Sequence, residues 1–344
     1  MKRIIRHRRT LGTALALSCV SPAPAAETSS VTLYGLIDLG TTYERRDGES
    51  SLRQKSGNQS GSRWGLRGAE DLGNGYKAVF RLENGFNANS GAQAQGRLFG
   101  RWAYVGLAGG FGEVRLGRQW IYGFEWSGVG SPFGTGWGQS SNNVTLGFND
   151  GDFGAAGRVN NAVFYATPRM NGWQAGLGYS FEAHDNDAFA TDAHDRVMTA
   201  GLRYNSGPVA AALTYDRLNP DARLPNKKTT GNLQVAGSYD FEWITLHSTY
   251  GNLRNANTGP SAGYDKVNSF IVGVTVPTGK ASSVLASAQR ATGSDITGWA
   301  LGYQYDLSKR TNLYTYVNRV DIRESHTLQA VSYTHLTLPT ICSV

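Results

Sequence analysis

The side chains best placed to do chemistry in this sequence are arginines set among apolar residues at intervals of two. Arg63 and Arg67 alternate with Trp64 and Leu66, Arg81 with Phe80 and Leu82, and Arg115 with Val114 and Leu116. In an extended strand successive side chains point to opposite faces. Each run therefore carries guanidinium groups on one face and apolar groups on the other. Arg158 sits between Gly157 and Val159, after a long stretch with little alternation. Arg101 is left open by periodicity, because Trp102 and Tyr104 compete with Ala103 and Val105 for the apolar face. Strict alternation from Arg115 turns Arg118 outward, yet it stands among the candidates. Guanidinium groups are permanently charged and only donate hydrogen bonds. The chemistry they offer is the attraction of anions, without bond making.

Other constellations are weaker. His247 could act as a base for Ser248 or Thr249, but His247 and Ser248 are adjacent in a strand pattern and face opposite ways. The run Asn149-Asp-Gly-Asp-Phe-Gly154 resembles a Ca²⁺ loop and lacks the ligand expected at its twelfth position. Gly134-Thr-Gly-Trp-Gly138 has neither the preceding strand nor the following helix of a phosphate cradle. His184, His194, His247 and His326 show no metal spacing. The 2 cysteines, Cys19 and Cys342, make no disulfide framework. No metal or other cofactor is expected.

These arginines must be positioned by strands. In 344 residues there are 44 Gly, 17 Tyr and 8 Trp, a mixture suited to strands that pass close together and to aromatic anchors at a membrane interface. Residues 1–26 read as a secretory signal: Lys2, Arg3, Arg6, Arg8 and Arg9 precede a short apolar run at 11–20 and the small residues Ala23-Pro-Ala-Ala26. Cleavage is expected near Ala25 or Ala26. The Arg8-Arg9 pair and Cys19 offer twin-arginine export and lipidation as weaker alternatives. Removing the signal leaves 28 basic against 26 acidic residues, a net charge of +2 in place of +7. The basic excess is thus no argument for a nucleic-acid partner.

Beyond residue 26 no apolar run approaches the length of a membrane helix. Segments of about ten residues alternate instead, separated in turn by tight turns and by longer polar stretches. One example sets Trp173, Ala175, Leu177, Tyr179 and Phe181 against Gln174, Gly176, Gly178, Ser180 and Glu182. Another sets Phe270, Val272, Val274 and Val276 against Ser269, Gly273 and Thr275, with Ile271 as an exception. Fifteen segments run from 31–42 to 311–320, and a sixteenth begins near His326. An even count returns both termini to one side and lets the sheet close. Tight turns include 71–75, 109–112 and 168–172; long polar stretches include 44–61, 219–230 and 254–265. Residues 121–158 form the longest connection. The predicted fold is an all-β transmembrane antiparallel β-barrel of about 16 strands over residues 27–331.

Specific motifs now carry a resemblance. Val31-Thr-Leu-Tyr-Gly-Leu-Ile-Asp38, Gly61-Ser-Arg-Trp-Gly-Leu-Arg-Gly-Ala-Glu-Asp-Leu-Gly-Asn-Gly75, Phe99-Gly-Arg-Trp-Ala-Tyr-Val-Gly-Leu107 and Gly109-Gly-Phe-Gly-Glu-Val-Arg-Leu-Gly-Arg-Gln119 resemble the general trimeric porins, particularly those of β-proteobacteria. The resemblance covers residues 31–330. It implies a homotrimer in the Gram-negative outer membrane, a water-filled channel for small hydrophilic solutes and ions, and no enzymatic activity. It also makes 121–158 an inward-folded third loop, with Ser131, Pro132, Phe133 and Gly134 near its tip. By resemblance Arg63, Arg101 and Arg158 match the arginine ladder of the constriction.

Residues 126–149 contain no Asp or Glu; Glu125 precedes them, and Asp150 and Asp152 follow. Arginines with little opposing charge predict a preference for anions. Alternatives are a channel specific for an organic acid or other anion, an outer-membrane barrel enzyme, and a plugged structural barrel. The ending departs from the family pattern: it lacks a terminal Phe and carries Pro339, so residues 332–344 are read as a non-native tail that fits no closing strand.

Overall fold

A computed structural model describes residues 29–138, 152–153, 157–184, 193–322 and 325–338. The expected signal at 1–26 therefore lies outside the described residues. Among the described residues seventeen strands make one antiparallel sheet. They are β1 (Ser30–Arg46), β2 (Glu49–Ser56), β3 (Arg63–Gly73), β4 (Tyr76–Gly85), β5 (Trp102–Gly109), β6 (Gly112–Trp120), β7 (Arg158–Ala166), β8 (Trp173–Ser180) and β9 (Arg196–Ser206). There follow β10 (Val209–Asn219), β11 (Thr230–Asp240), β12 (Thr245–Arg254), β13 (Lys266–Pro277), β14 (Ser282–Thr292), β15 (Ile296–Ser308), β16 (Thr311–Ile322) and β17 (Ser325–Leu338).

Neighbours in sequence are neighbours in the wall, and β1 closes it. One edge of β1 pairs with β17, Gly35 opposite Leu338 and Arg46 opposite Thr327. Its other edge pairs with β3 along residues 30–36 and with β2 along residues 39–46. Because β2 and β3 share that edge end to end, the wall is sixteen strands around. Among the described residues, closure gives every strand but β2, which pairs with β1 alone, a partner on both edges, as backbone N–H and C=O groups in lipid require. Among the described residues no helix is long and apolar enough to cross a membrane.

Two expectations are corrected. The polar stretch 44–61 contains β2 and the end of β1, a hairpin turned by Asp47 and Gly48, both with positive φ. Ser50, Ser51, Gln54 and Lys55 show no apolar alternation, so periodicity missed it. At the other end, residues 332–338 do form part of a closing strand, paired with both β1 and β16. Residues 339–344, with Pro339, lie outside the described residues.

Alternation sorts the faces as expected. Val105, Leu177 and Val272 stand 57%, 62% and 58% exposed on the outside, where lipid replaces water. At the tight-turn end of the wall, outward aromatic pairs cluster: Tyr76 with Phe111, Trp173 with Tyr204, and Tyr239 with Phe241. Tyr250 and Phe270 pair toward the opposite end. Such girdles mark the two membrane interfaces. Ile271, the exception to alternation, points inward and is buried against the long connection.

Candidate functional site

Inside the barrel the arginines occupy one arc. Cross-strand register sets Leu36 opposite Arg63, Thr32 opposite Arg67 and Tyr34 opposite Gly65. It then sets Gly65 opposite Glu83 and Arg67 opposite Arg81, and Glu83 and Arg81 opposite Trp102 and Tyr104. Arg115 follows beside Phe164. One inward face of β3 to β7 therefore carries Arg63, Arg67, Arg81 and Arg115, as their spacing predicts. Trp102 and Tyr104 share that face, since Trp102 is stacked by Arg81 and Tyr104 by Arg115, while Val105 faces out.

A carboxylate that sequence reasoning passed over organises this arc. Glu83 is fully buried and takes Arg81 Nη2 on Oε2 at 2.6 Å and Arg101 Nε on Oε1 at 2.6 Å. The Tyr34 hydroxyl donates to Glu83 Oε2 at 2.7 Å and accepts from Arg81 Nε at 2.8 Å. Arg101 is thus brought in by Glu83, which periodicity could not decide. The signal for Glu83 was present: it stands two residues from Arg81 on the same strand, hence on the same face.

Arg118 is a correction to strict alternation. A bulge shifts the β6–β7 register between Gly117 and Gln119, with Gly117 at φ 129°. The shift breaks the two-residue period. Arg118 is buried, donating from Nε to the Gly100 carbonyl at 2.9 Å and from Nη1 to Asn160 Oδ1 at 2.5 Å. Arg158, opposite Trp120 in register, donates from Nε to the Arg101 carbonyl at 3.1 Å. Arg63 donates to the Gly61 carbonyl, and Arg101 Nη1 approaches the same glycine. Arg63, Arg101, Arg118 and Arg158 are therefore drawn together around the segment joining β4 to β5.

The long connection lies along the rest of the inner wall. After β6 it forms a short helix, α1 (Tyr122–Trp126), and a 3₁₀ turn over Ser127–Gly130. The Tyr122 amide donates to Thr199 Oγ1 at 2.9 Å, and Thr199 donates in turn to Asp216 Oδ1 at 2.6 Å. Thr249 Oγ1 donates to the Gly130 carbonyl at 3.0 Å, and the Trp137 amide to the Gln59 carbonyl at 3.2 Å. His247 Nδ1 lies 3.0 Å from the Val129 carbonyl, with Ser248 on the other face. His247 is thereby accounted for as a support of the loop.

Glycines make room for this docking. A Cβ on Gly201 would lie 2.6 Å from the Trp126 ring, and one on Gly176 would strike the Tyr122 ring. The expected tip turns toward the wall. Ser131 and Phe133 are buried, Pro132 lies over Gly273, and Phe133 stacks edge-on with Trp137, which packs against Tyr314. Gly134 supplies the positive φ that ends the turn. Glu125, on the short helix that follows β6, comes within 3.7 Å of Arg115. Burial in this contact zone pushes the Tyr122 phenol up to about 12.

Of the acidic residues after the tip, Asp150 lies outside the described residues. Asp152 accepts backbone amides of Asn257 and Thr258, tying two outer loops together. Among the described residues no group of three His, Cys, Asp or Glu is placed to hold a metal.

Comparison with known proteins agrees with the barrel fold. A family profile described as Gram-negative porin matches residues 12–325. An outer membrane porin protein of Bordetella pertussis is 40% identical, the match covering 90% of this chain and 93% of its own. Outer membrane porin protein 32 of Delftia acidovorans is 34% identical over 88% of this chain and 86% of its own. Among solved structures, the anion-selective porin from Comamonas acidovorans superposes with a TM-score of 0.75 at 27% identity, covering 90% of this chain and all of the other.

Proposed function

This chain belongs to the Gram-negative porin family and forms an outer-membrane diffusion channel, not an enzyme; on that premise we propose that the channel prefers anions. One observation carries the reading. Arg63, Arg67, Arg81, Arg101, Arg115, Arg118 and Arg158 are gathered on one arc of the inner wall, from β3 to β7, which the start of the inner loop touches through Glu125. Among the described residues, Glu83, Glu113 and Glu125 are carboxylates within salt-bridge distance of them. A surplus of fixed positive charge in a narrow, low-dielectric passage raises the local concentration of anions and repels cations. That a relative of the same fold is titled anion-selective supports the reading. The solutes are small and hydrophilic, and inorganic ions are among them. No cofactor or nucleic-acid partner belongs to this scheme; the surroundings of the outer wall are outer-membrane lipid.

We further propose a homotrimer joined through the outer face of β1 and β3, where Val31, Leu33 and Trp64 stand exposed together. Cross-linking in membranes should then stop at three subunits. The exported chain begins near residue 26 or 27, which N-terminal sequencing of protein from outer membranes would check.

The experiment that tests anion preference is the reversal potential of the refolded chain in a planar bilayer under a KCl gradient. Chloride is expected to be the more permeant ion. A potential of the sign that favours K⁺ would discard the proposal and leave the channel standing.

A further inference from the structure

The wall arginines are stacked on aromatic rings. The Arg81 guanidinium lies 4.6 Å from the Trp102 ring centre, and that of Arg115 lies 5.8 Å from it. On the neighbouring Trp120 the distances are 5.8 Å for Arg101 and 4.8 Å for Arg158. All four fall within the range where a cation is attracted by the ring quadrupole. The two indoles are themselves fixed. Their rings meet edge-on at 5.0 Å, Trp102 is almost wholly buried, and Trp120 leans on Phe124 of the loop at 5.1 Å.

Neither indole is kept for its N–H. Trp102 Nε1 and Trp120 Nε1 are buried without a hydrogen-bond partner among the described residues, a condition that costs free energy. What both rings do supply is a rigid π face at the level of the arginine cluster. A long arginine side chain without such a support would sample many rotamers, and its charge would be spread over them.

We propose that Trp102 and Trp120 are selectivity-determining positioning residues, whose faces hold the Arg81, Arg115, Arg101 and Arg158 guanidinium groups in place so that their field is preorganised at one level of the lumen. This rests on the anion-preferring reading above and adds the part of the machinery that keeps the charge still. Lysine would not serve at these positions, because a compact ammonium on a flexible stem lacks the flat face that stacks.

The test compares the parent chain with Trp120→Leu, Trp120→Phe and Arg158→Lys in planar bilayers, after heat-modifiable gel mobility has shown that each is folded. In Trp120→Leu the chloride-to-potassium permeability ratio should fall about threefold, the equivalent of losing a modest cation–π contact. Trp120→Phe keeps a π face and should hold most of the parent ratio. Arg158→Lys keeps the charge and should fall about as far as Trp120→Leu. The proposal is overturned if Trp120→Leu retains the parent ratio, or if Trp120→Phe falls as far as leucine does, which would mark a packing role alone. Should Trp120→Leu fail to assemble, Arg158→Lys decides, and an unchanged ratio there refutes it. The sign of the parent's own reversal potential tests the anion reading separately. The shift on losing the π face tests this one whatever that sign is.

Discussion

Two arcs of the same barrel use one rule of alternation for different ends. On β3 to β7 the inward positions hold arginines, with Glu83, Tyr34 and the two tryptophans between them. On β8 to β16 the inward positions under the loop include small or short polar residues, Gly176, Gly201, Thr199, Thr214, Thr249 and Gly273, set beside larger ones such as Arg203, Ile271 and Tyr314. The first arc presents charge to the lumen. The second receives the inner loop, and its aromatic residues Tyr122, Trp126, Phe133 and Trp137 fill the space its short side chains leave. A channel narrowed from one side and charged on the other needs both. Bulk is excluded from the covered arc at Gly176, Gly201 and Gly273, where an added Cβ would meet the loop.

The largest effect should come from breaking the charged arc at its carboxylate. Glu83→Gln leaves the half-buried Arg81 and the buried Arg101 without their counter-charge, and removing one partner of a buried pair such as Arg101 and Glu83 costs about 3–5 kcal/mol. The temperature at which the folded gel band converts to the unfolded one should drop clearly, and surviving channels should favour chloride more than the parent does. An unchanged transition would mean that Glu83 is not what holds this arc together.

A smaller effect is expected on the covered arc. Gly201→Leu places a side chain where the Trp126 ring lies, and overpacking of this kind costs about 1–3 kcal/mol. The wall should still close, because the lesion is inside it. Single-channel conductance should rise as the loop lifts from the wall, and proteases should reach residues 121–138 more readily. Parent-like conductance together with parent-like protection would show that the loop does not need that space.

The smallest effect sharpens the comparison by pH. Burial raises the Tyr122 phenol from its ordinary value of 10.0 to about 12. The docked loop thus prefers the neutral phenol, and the stabilisation is complete below about pH 10, where the undocked phenol also stays neutral. As pH rises from 10 toward 12 the undocked state loses its proton first, so docking weakens across that window. Conductance should increase there in the parent and not in Tyr122→Phe, which has no proton to lose. The same alkaline rise in Tyr122→Phe would assign the effect to another group.

Particular residues show how far the sequence could be read. Arg63, Arg67, Arg81 and Arg115 were legible because each lies in an unbroken two-residue period beside apolar neighbours. Arg101 was not, since Trp102 and Tyr104 are amphipathic and suit either face; only the partner Glu83 across the β4–β5 pair decides it. Arg118 was misdirected by a bulge, one extra residue that no periodicity announces. β2 was hidden because its polar residues pair with β1 in a hairpin that has no apolar face to display. Residues 332–338 read as a poor closing strand, yet they find register with β1 and β16.

By itself, then, the sequence determined that this is a membrane barrel of alternating strands, which face of most strands meets lipid, and that Arg63, Arg67, Arg81 and Arg115 back that face. Those properties depend on the order of residues along one strand, where a period of two is enough. The tertiary structure alone decided which charges are paired, which rings stack on which guanidinium groups, and where the loop comes to rest. Those depend on the register between strands and on contacts between residues far apart in the chain, such as Tyr34 with Glu83 or Trp137 with Tyr314. A one-residue slip in register would move each side chain to the opposite face without altering the pattern within any strand.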